Sequence, residues 1–487
     1  MAPCTSRNAE HCEGEIQTQR ELRACHNRRM EESTMTRRSL IKTAAVTSAA
    51  AGLGSLPAVV LGNDGRWETA VPAASGKTMV GVPFERHEKV RLGIIGVGGR
   101  GTGVCSDFLG VQGVEVKAVC DIVPSKTANA AAMVEKAGQP RPTEYHAGDH
   151  DYENLCKRDD LDLIYIATPW IWHVRMALSS LEHGHHTAVE VPAARTLDEC
   201  WALVNASEKA QKHCMMFENC CYGETELMVL RMVRSGLFGE LTHGTGAYNH
   251  DLRGELFSSG GEGTWRRFEH LDRNGNLYPT HGLGPVANYL ECNRGDRFDF
   301  MVSMSSQSAG LQAWRRAHLA ADDPRMKEVY HCGDQNTSLI KTAKGRLITV
   351  EHNVSEPHPY DRINHIAGTK GTFRDYPPRL YIDGQKEGEQ YVDLEGYKKD
   401  YEHPLWSAEG ELARKNGGHG GMDYIMCWRV VQCMLEGVAP DFDVYDAAAW
   451  SAPGPLSEIS VAKGSAPVKF PDFTRGNWQS SRLFAGV

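Results

Sequence analysis

The sequence has no excess of positive charge: 53 lysines and arginines stand against 62 aspartates and glutamates, a formal net charge of −9 over 487 residues. No broad basic field can form, which excludes nucleic acid and an anionic membrane surface as partners. Cysteine is present but unpatterned. No Cys-x-x-Cys pair occurs among the 14 cysteines, Cys220 and Cys221 are adjacent, and the run from Cys105 to Cys433 follows no regular spacing. Neither a disulfide framework nor a zinc ribbon is indicated, and no metal site is expected. A long, strongly apolar run is also missing. The stretch Thr43 to Gly62 carries little charge but is rich in Ala, Gly and Ser, too weakly apolar to hold a bilayer, so stable membrane insertion is not expected.

What precedes that stretch gives it a meaning. Arg37 and Arg38, then Ser39, Leu40, Ile41 and Lys42, lead into the low-charge run and its small residues, the order of a twin-arginine export signal. The expectation is a signal over residues 35–66, after an unassigned extension over 1–34, and a periplasmic or otherwise exported location reached through the twin-arginine machinery. Unpatterned cysteines suit a protein that folds in the reducing cytoplasm and leaves it folded, carrying any tightly bound cofactor.

The length exceeds one compact core, since about 150 residues per domain predicts two or three. From Lys89 the pattern alternates strand and helix. "VRLGIIGV", "VEVKAVCD" (Val114 to Asp121), "LDLIYIAT" (Leu161 to Thr168) and "HTAVEVP" (His186 to Pro192) are apolar runs suited to buried parallel strands. "HVRMALSSLEHG" has helical periodicity and stops at Gly184. The reading is an α/β Rossmann domain over 88–217. Beyond it, "ETELMVLRMVRSGLFG" is an amphipathic helix, "LTHGTGAYNH" a strand, "FDFMVSMSSQ" another, and "NTSLIKTAKGRLITVEHNV" a hairpin turning at Lys344 and Gly345. These predict an α+β domain with a largely antiparallel open sheet over 218–475, whose exposed face would suit a homodimer.

Gly96, Gly98 and Gly101 form Gly-x-Gly-x-x-Gly directly after the first strand. Glycines there allow a tight turn and close approach of backbone N–H groups to a pyrophosphate at a helix N-terminus. Asp121 ends the second strand, where a carboxylate accepts from a ribose diol and repels a 2′-phosphate. The pair points to NAD rather than NADP as cofactor.

At this point the chain resembles a known superfamily. "ATPWIWH" (Ala167 to His173) and "EVPAA" (Glu190 to Ala194) are similar to the glucose-fructose oxidoreductase and inositol dehydrogenase superfamily, most of whose members carry Glu-Lys-Pro where this chain has Glu190-Val191-Pro192. "FEN" (Phe217 to Asn219), "YNHDLR" (Tyr248 to Arg253), "WRR" (Trp265 to Arg267), "GNLYPTHGLGPV" (Gly275 to Val286), "CNRGD" (Cys292 to Asp296) and "PYDR" (Pro359 to Arg362) sharpen the match. Together they resemble glycosidase family 109, the NAD-dependent α-N-acetylgalactosaminidases, from about Lys89 to Pro471. The resemblance implies that Gly99, Arg100, Asp121, Trp170, Ile171, Trp172, His173, Glu190, Val191 and Asn219 contact NAD. It implies that Tyr248, Arg266, Tyr278, Pro279, Thr280, His281 and Tyr360 contact a sugar, free or at a glycan terminus. Trp170 and Trp172 also read as core aromatics, Cys220 and Cys221 as core thiols, and His185 and His186 as surface or packing residues.

Tyr278 and His281 have a physical reading of their own. Pro279 fixes φ as at a helix start, which puts the phenol and the imidazole three residues apart and on one side. Alone they read as a turn tyrosine and a capping histidine; beside a nicotinamide they become an acid/base pair, with Tyr248 as a third candidate and Arg266 as a cation able to lower a phenol pKa. The expected reaction oxidises sugar C3, removes the C2 proton, expels the C1 substituent, adds water and reverses, consuming no net NAD. It needs no carboxylate pair, although Asp251 and Glu269 are available for one. The alternative is an exported NAD(P)-dependent sugar oxidoreductase, against which Val191 in the lysine position counts.

Overall fold

Two patterns in the sequence become two sheets in the computed structural model, which describes residues 59–385, 389–480, 482 and 484. The twin-arginine segment lies outside the described residues, save for its last positions. There Val59–Leu61 (β1) pairs antiparallel with Trp67–Thr69 (β2).

The apolar runs make the first sheet. β3 (Val90–Ile95), β4 (Val114–Cys120), β5 (Thr143–Tyr145), β6 (Leu163–Ile166), β7 (His186–Val189) and β8 (Cys214–Met216) lie in the order β5-β4-β3-β6-β7-β8, each pair parallel. β6, β7 and β8 are buried at every residue, as strands covered by helices on both faces must be. Each buried Val, Ile or Leu contributes roughly 1.5–3 kcal/mol, so the continuous runs, not local propensity, fix this sheet. The strand order turns back at β3, and in such sheets ligands bind outside the carboxyl ends of the strands near that point.

Alternating strands make the second sheet. β9 (Leu241–Asn249), β10 (Phe298–Ser305), β11 (Asn336–Thr342), β12 (Leu347–Asn353), β13 (His365–Gly368), β14 (Gly371–Arg374), β15 (Arg379–Ile382) and β16 (Val468–Lys469) join β1 and β2 in the order β1-β2-β16-β10-β11-β12-β9-β13-β14-β15. Its pairs are antiparallel except β12 with β9 and β16 with β2. One face carries the helices Thr280–Tyr289 and Pro453–Ala462; the other leaves Met304, Leu339 and Leu347 exposed. The Thr280–Tyr289 helix lies directly on β9. A Cβ on Gly246 would stand 2.1 Å from the Gly282 carbonyl oxygen, and one on Gly282 would stand 2.3 Å from the Ala247 nitrogen. That contact sets His281 beside Tyr248.

The quoted "CNRGD" builds core rather than site. Arg294 makes a bidentate pair with fully buried Asp446, at 2.9 and 2.6 Å. The 11 cysteines among the described residues are all buried and free. His185 and His186 are buried packing residues, and His186 Nε2 donates to Glu85 at 2.7 Å while its Nδ1 accepts from His213 N. Among the described residues no helix is long and apolar enough to cross a membrane.

Candidate active site

The carboxyl ends of β3, β4, β6, β7 and β8 carry, in turn, Gly96, Asp121, Thr168 to Trp170, Glu190, and Glu218 with Asn219. Gly96 has φ +86°, and a Cβ there would stand 2.4 Å from the Ala167 carbonyl oxygen. Gly101 sits in the first turn of the Gly99–Leu109 helix, where a Cβ would come within 1.8 Å of the Gly96 carbonyl oxygen. Gly98 and Gly99 differ, because a Cβ at either meets nothing within 4 Å. They face open space at a helix N-terminus that no side chain caps. A pyrophosphate fits there, against free backbone N–H groups. Asp121 is fixed on the glycine turn by accepting from Val97 N at 3.1 Å and Val123 N at 3.0 Å, and its remaining lone pairs suit a ribose diol.

Arg100 is committed to carboxylates. Its Nε donates to Glu190 Oε1 at 2.8 Å and its Nη1 to Asp423 Oδ2 at 2.6 Å. Asn219 Nδ2 donates to Asp423 Oδ1 at 2.6 Å, and Tyr165 OH to Glu190 Oε1 at 2.8 Å. Burial pushes the Asp423 carboxyl up, but His419 and Arg100 hold it well below the usual carboxylate range. His173 bridges the ends of β6 and β7, with its ring nitrogens 2.8 Å from Thr168 O and 2.9 Å from Pro192 O. It thereby positions the start of the Trp170–Glu182 helix against Glu190 and buried Val191. Ile171 is half-buried at this helix start, and Trp172 turns to Tyr152 and His150, away from Trp170.

Across from these groups stands the second sheet's contribution. The Trp170 ring stacks on Tyr278 at 5.5 Å between centroids. Tyr278 OH is 3.4 Å from His281 Nε2, and His281 Nδ1 is 2.7 Å from Glu218 Oε1. Burial pushes Glu218 up, yet the His281 charge and hydrogen bond, with Thr280 and the Cys220 N–H, hold its carboxyl below the usual range. An ionised Glu218 can only accept, so Nδ1 carries a proton toward it, and the ring turns Nε2 toward Tyr278. Pro279 caps the helix at φ −76° and lets Tyr278 and His281 meet. Tyr248 packs on Tyr278 at 4.6 Å, and its OH is 3.2 Å from His250 Nδ1. Tyr360 stands at the rim, 6.0 Å from Tyr248 by ring centroids, with its OH accepting from Arg362 at 3.3 Å.

Arg266 lies over three rings, 4.7 Å from the Tyr278 centroid, 5.1 Å from Trp170 and 5.7 Å from Tyr248. Its Nη1 donates to Glu262 at 2.5 Å, while its buried Nη2 has no partner among the described residues. A buried donor left open in a cleft marks where a ligand oxygen belongs. The expected lowering of the Tyr278 pKa by Arg266 is present but outweighed. Burial pushes the phenol well above its usual range, and Tyr248 adds to the rise. Tyr278 therefore stays protonated and donates, which leaves His281 to accept a proton. The carboxylates Asp251 and Glu269 are not a pair. Asp251 is held by Arg253 at 2.8 Å, whereas Glu269 is buried between Arg195 and Arg273, each at 2.9 Å.

Comparison with known proteins gives the family of the chain. Residues 222–480 match the family model "Glycosyl hydrolase 109, C-terminal domain", and residues 90–218 match "Oxidoreductase family, NAD-binding Rossmann fold". A glycosyl hydrolase family 109 protein of Solibacter usitatus (strain Ellin6076) is 59% identical over 446 residues, covering 91% of this chain and 98% of that one. One of Streptomyces filamentosus is 50% identical over 458 residues, covering 92% of each. The chain belongs to glycosyl hydrolase family 109. Its first sheet is the NAD-binding Rossmann fold and NAD is its cofactor. Among solved structures, a levoglucosan dehydrogenase in complex with NADH and levoglucosan shares the fold, with a TM-score of 0.62 at 19% identity over 79% of this chain and 100% of that one. So does the scyllo-inositol dehydrogenase of Lactobacillus casei with bound NAD(H) and scyllo-inositol, at a TM-score of 0.55 and 14% identity over 78% and 99%.

In this family 109 protein the sequence reading left several site groups without a role. Glu218 and His250 lie inside quoted motifs, and their positions beside Asn219 and Tyr248 were the available signal. His419 and Asp423 gave none, because only the fold brings them to Arg100, whereas Glu262 stands four residues before Arg266, the spacing of a local ion pair.

Proposed function

We propose that the protein is an exported glycosidase that removes terminal α-linked N-acetylgalactosamine by a redox-neutral, NAD-dependent route. The observation that carries this reading is the Glu218–His281–Tyr278 chain of contacts beside the strand ends that bear the dinucleotide site. Bound NAD would supply a hydride acceptor at sugar C3 and return the same hydride, so none is consumed. Gly98, Asp121, Glu190 and Asn219 would hold it. Arg266 Nη2 would bind and orient a sugar oxygen, and Tyr248, Thr280 and Tyr360 would complete the sugar contacts. His281 Nε2, its partner nitrogen tied to Glu218, would take a proton from the sugar, while protonated Tyr278 would donate a hydrogen bond to an oxygen that gains charge. His281 would return that proton to the sugar after water adds at C1, and Tyr278, which only donates a hydrogen bond, would keep its own.

The absence of an Asp251–Glu269 pair supports this route over direct displacement at C1, because that chemistry needs two facing carboxylates. Val191, buried where most of the wider superfamily carries lysine, favours it over a sugar oxidoreductase. Arg37 and Arg38 support export, and a cofactor that is not consumed suits an exported enzyme. The exposed Met304, Leu339 and Leu347 support a homodimer through the open sheet face. Incubation with nitrophenyl α-N-acetylgalactosaminide and no added cofactor tests the reading. Release of nitrophenol is expected. A change in nicotinamide absorbance with free sugar and no nitrophenol would select the oxidoreductase instead.

A further inference from the structure

A cofactor that is returned to its starting state in every turnover has no need to leave, and one segment of the chain is placed to keep it. Residues 417–421 are glycine at every position but His419. A Cβ on Gly417 would stand 2.8 Å from Tyr424 Cβ, on Gly418 2.5 Å from Asp423 Oδ2, and on Gly421 2.7 Å from the Ala413 carbonyl carbon. The segment is thus pressed against the Pro404–Asn416 and Met422–Glu436 helices, and the one side chain it raises is His419. That imidazole is held at one edge by Nδ1 to Asp423 Oδ2 at 2.7 Å, yet 60% of the side chain is exposed. Asp423 itself is buried and takes Arg100 and Asn219 on the same carboxylate. Arg100 is in the first turn of the Gly99–Leu109 helix, and Asn219 opens the short 3-10 helix that follows β8.

We propose that His419 binds the cofactor, its outward Nε2–H donating to the dinucleotide's pyrophosphate, so that the 417–421 segment retains NAD from the side of the C-terminal helices. The inference rests on the dinucleotide site described above. Its physical content is that one buried carboxylate, Asp423, holds both His419 and Arg100, a residue in the first turn of the Gly99–Leu109 helix. The charged groups facing His419 are Asp423 on the Met422–Glu436 helix, Arg100 and Asp107 on the Gly99–Leu109 helix, and Glu190 after β7. The hydrogen bond to Asp423 raises the imidazole above its usual range, against burial and the Arg100 charge. Retention should therefore be strongest while His419 is protonated and weaken as pH rises.

The test is the release of NADH from the full-length protein, chased with excess NAD+ and followed by loss of bound-NADH fluorescence. His419→Ala should release NADH at least tenfold faster than wild type. His419→Gln, which keeps a donor but cannot titrate, should release it at a rate that no longer changes between pH 6 and 9, where wild type accelerates. Equal release by wild type and His419→Ala would overturn the proposal. So would a His419→Gln variant that keeps the wild-type pH dependence. Wild-type protein that binds no NADH overturns the dinucleotide site itself, a failure seen without any variant.

Discussion

The carboxylate of Glu218 and the imidazole of His281 stand 2.7 Å apart, one at the end of the last parallel strand and the other at the head of the helix laid on β9. Each sheet supplies half of the acid/base unit. Glu218→Gln should leave the ring in place but free Nδ1 to take the other tautomer, lowering kcat on the order of 10²-fold. His281→Ala should lose at least as much, with NAD still bound. Steady-state kinetics beside cofactor content by mass spectrometry separates the two effects.

If hydrolysis runs through a C3 ketone, the C2 proton is exchanged. Reaction in deuterated water should place deuterium at C2 of the released sugar, whereas substrate deuterated at C3 should keep its label. NMR of the product decides this. Unlabelled C2 would mean displacement at C1.

Asp121 offers a simpler check on the cofactor. Its carboxylate is pinned by two backbone N–H groups and has lone pairs to spare. Asp121→Ala should weaken NAD binding by about 1–3 kcal/mol, the scale of a hydrogen bond involving a charged group. Titration calorimetry on cofactor-free protein measures it.

Asp107 is a buried acid under the 417–421 segment. Burial, with Asp423 adding, pushes its carboxyl up from 3.8 to about 7, against Arg100, the Gly418 N–H and His419. A raised folded-state pKa means that stability is fully present below about pH 3.8 and is lost as pH climbs through 7. Asp107→Asn should therefore raise Tm more at pH 8 than at pH 5, by about 1 °C for each kcal/mol relieved in a chain of this length. A larger gain at pH 5 would reverse the sign and refute the account.

Export is tested at Arg37 and Arg38. Replacing both by Lys should leave the folded, NAD-loaded enzyme inside the cell, because a receptor reads the arginines and charge alone does not suffice. Fractionation and immunoblotting would show it.

Periodicity made both sheets legible, because burial on two faces or on one leaves a direct trace in the order of residues. The runs at Val90, Val114, Leu163 and His186 became parallel strands, and the hairpin turns at Lys344 and Gly345 as its spacing predicts. Gly96 and Gly101 were readable for the same reason, since steric need forces glycine there. The ion pairs between elements distant in sequence were not readable. Nothing near Arg100 in the sequence announces Asp423, and nothing near Arg266 shows that burial beneath Trp170 and Tyr248 would outweigh its charge at Tyr278. Electrostatic partners depend on which elements dock, and docking leaves no local pattern.

Arg100 meets Asp423 across 323 residues of chain. At about 5–20 residues per second a ribosome needs roughly 15 to 65 s to supply the second partner after the first. Throughout that interval the nascent Rossmann half displays a glycine turn and an arginine answered only by Glu190. A chain cut short before the Met422–Glu436 helix would therefore present the dinucleotide fold with Arg100 held by Glu190 alone.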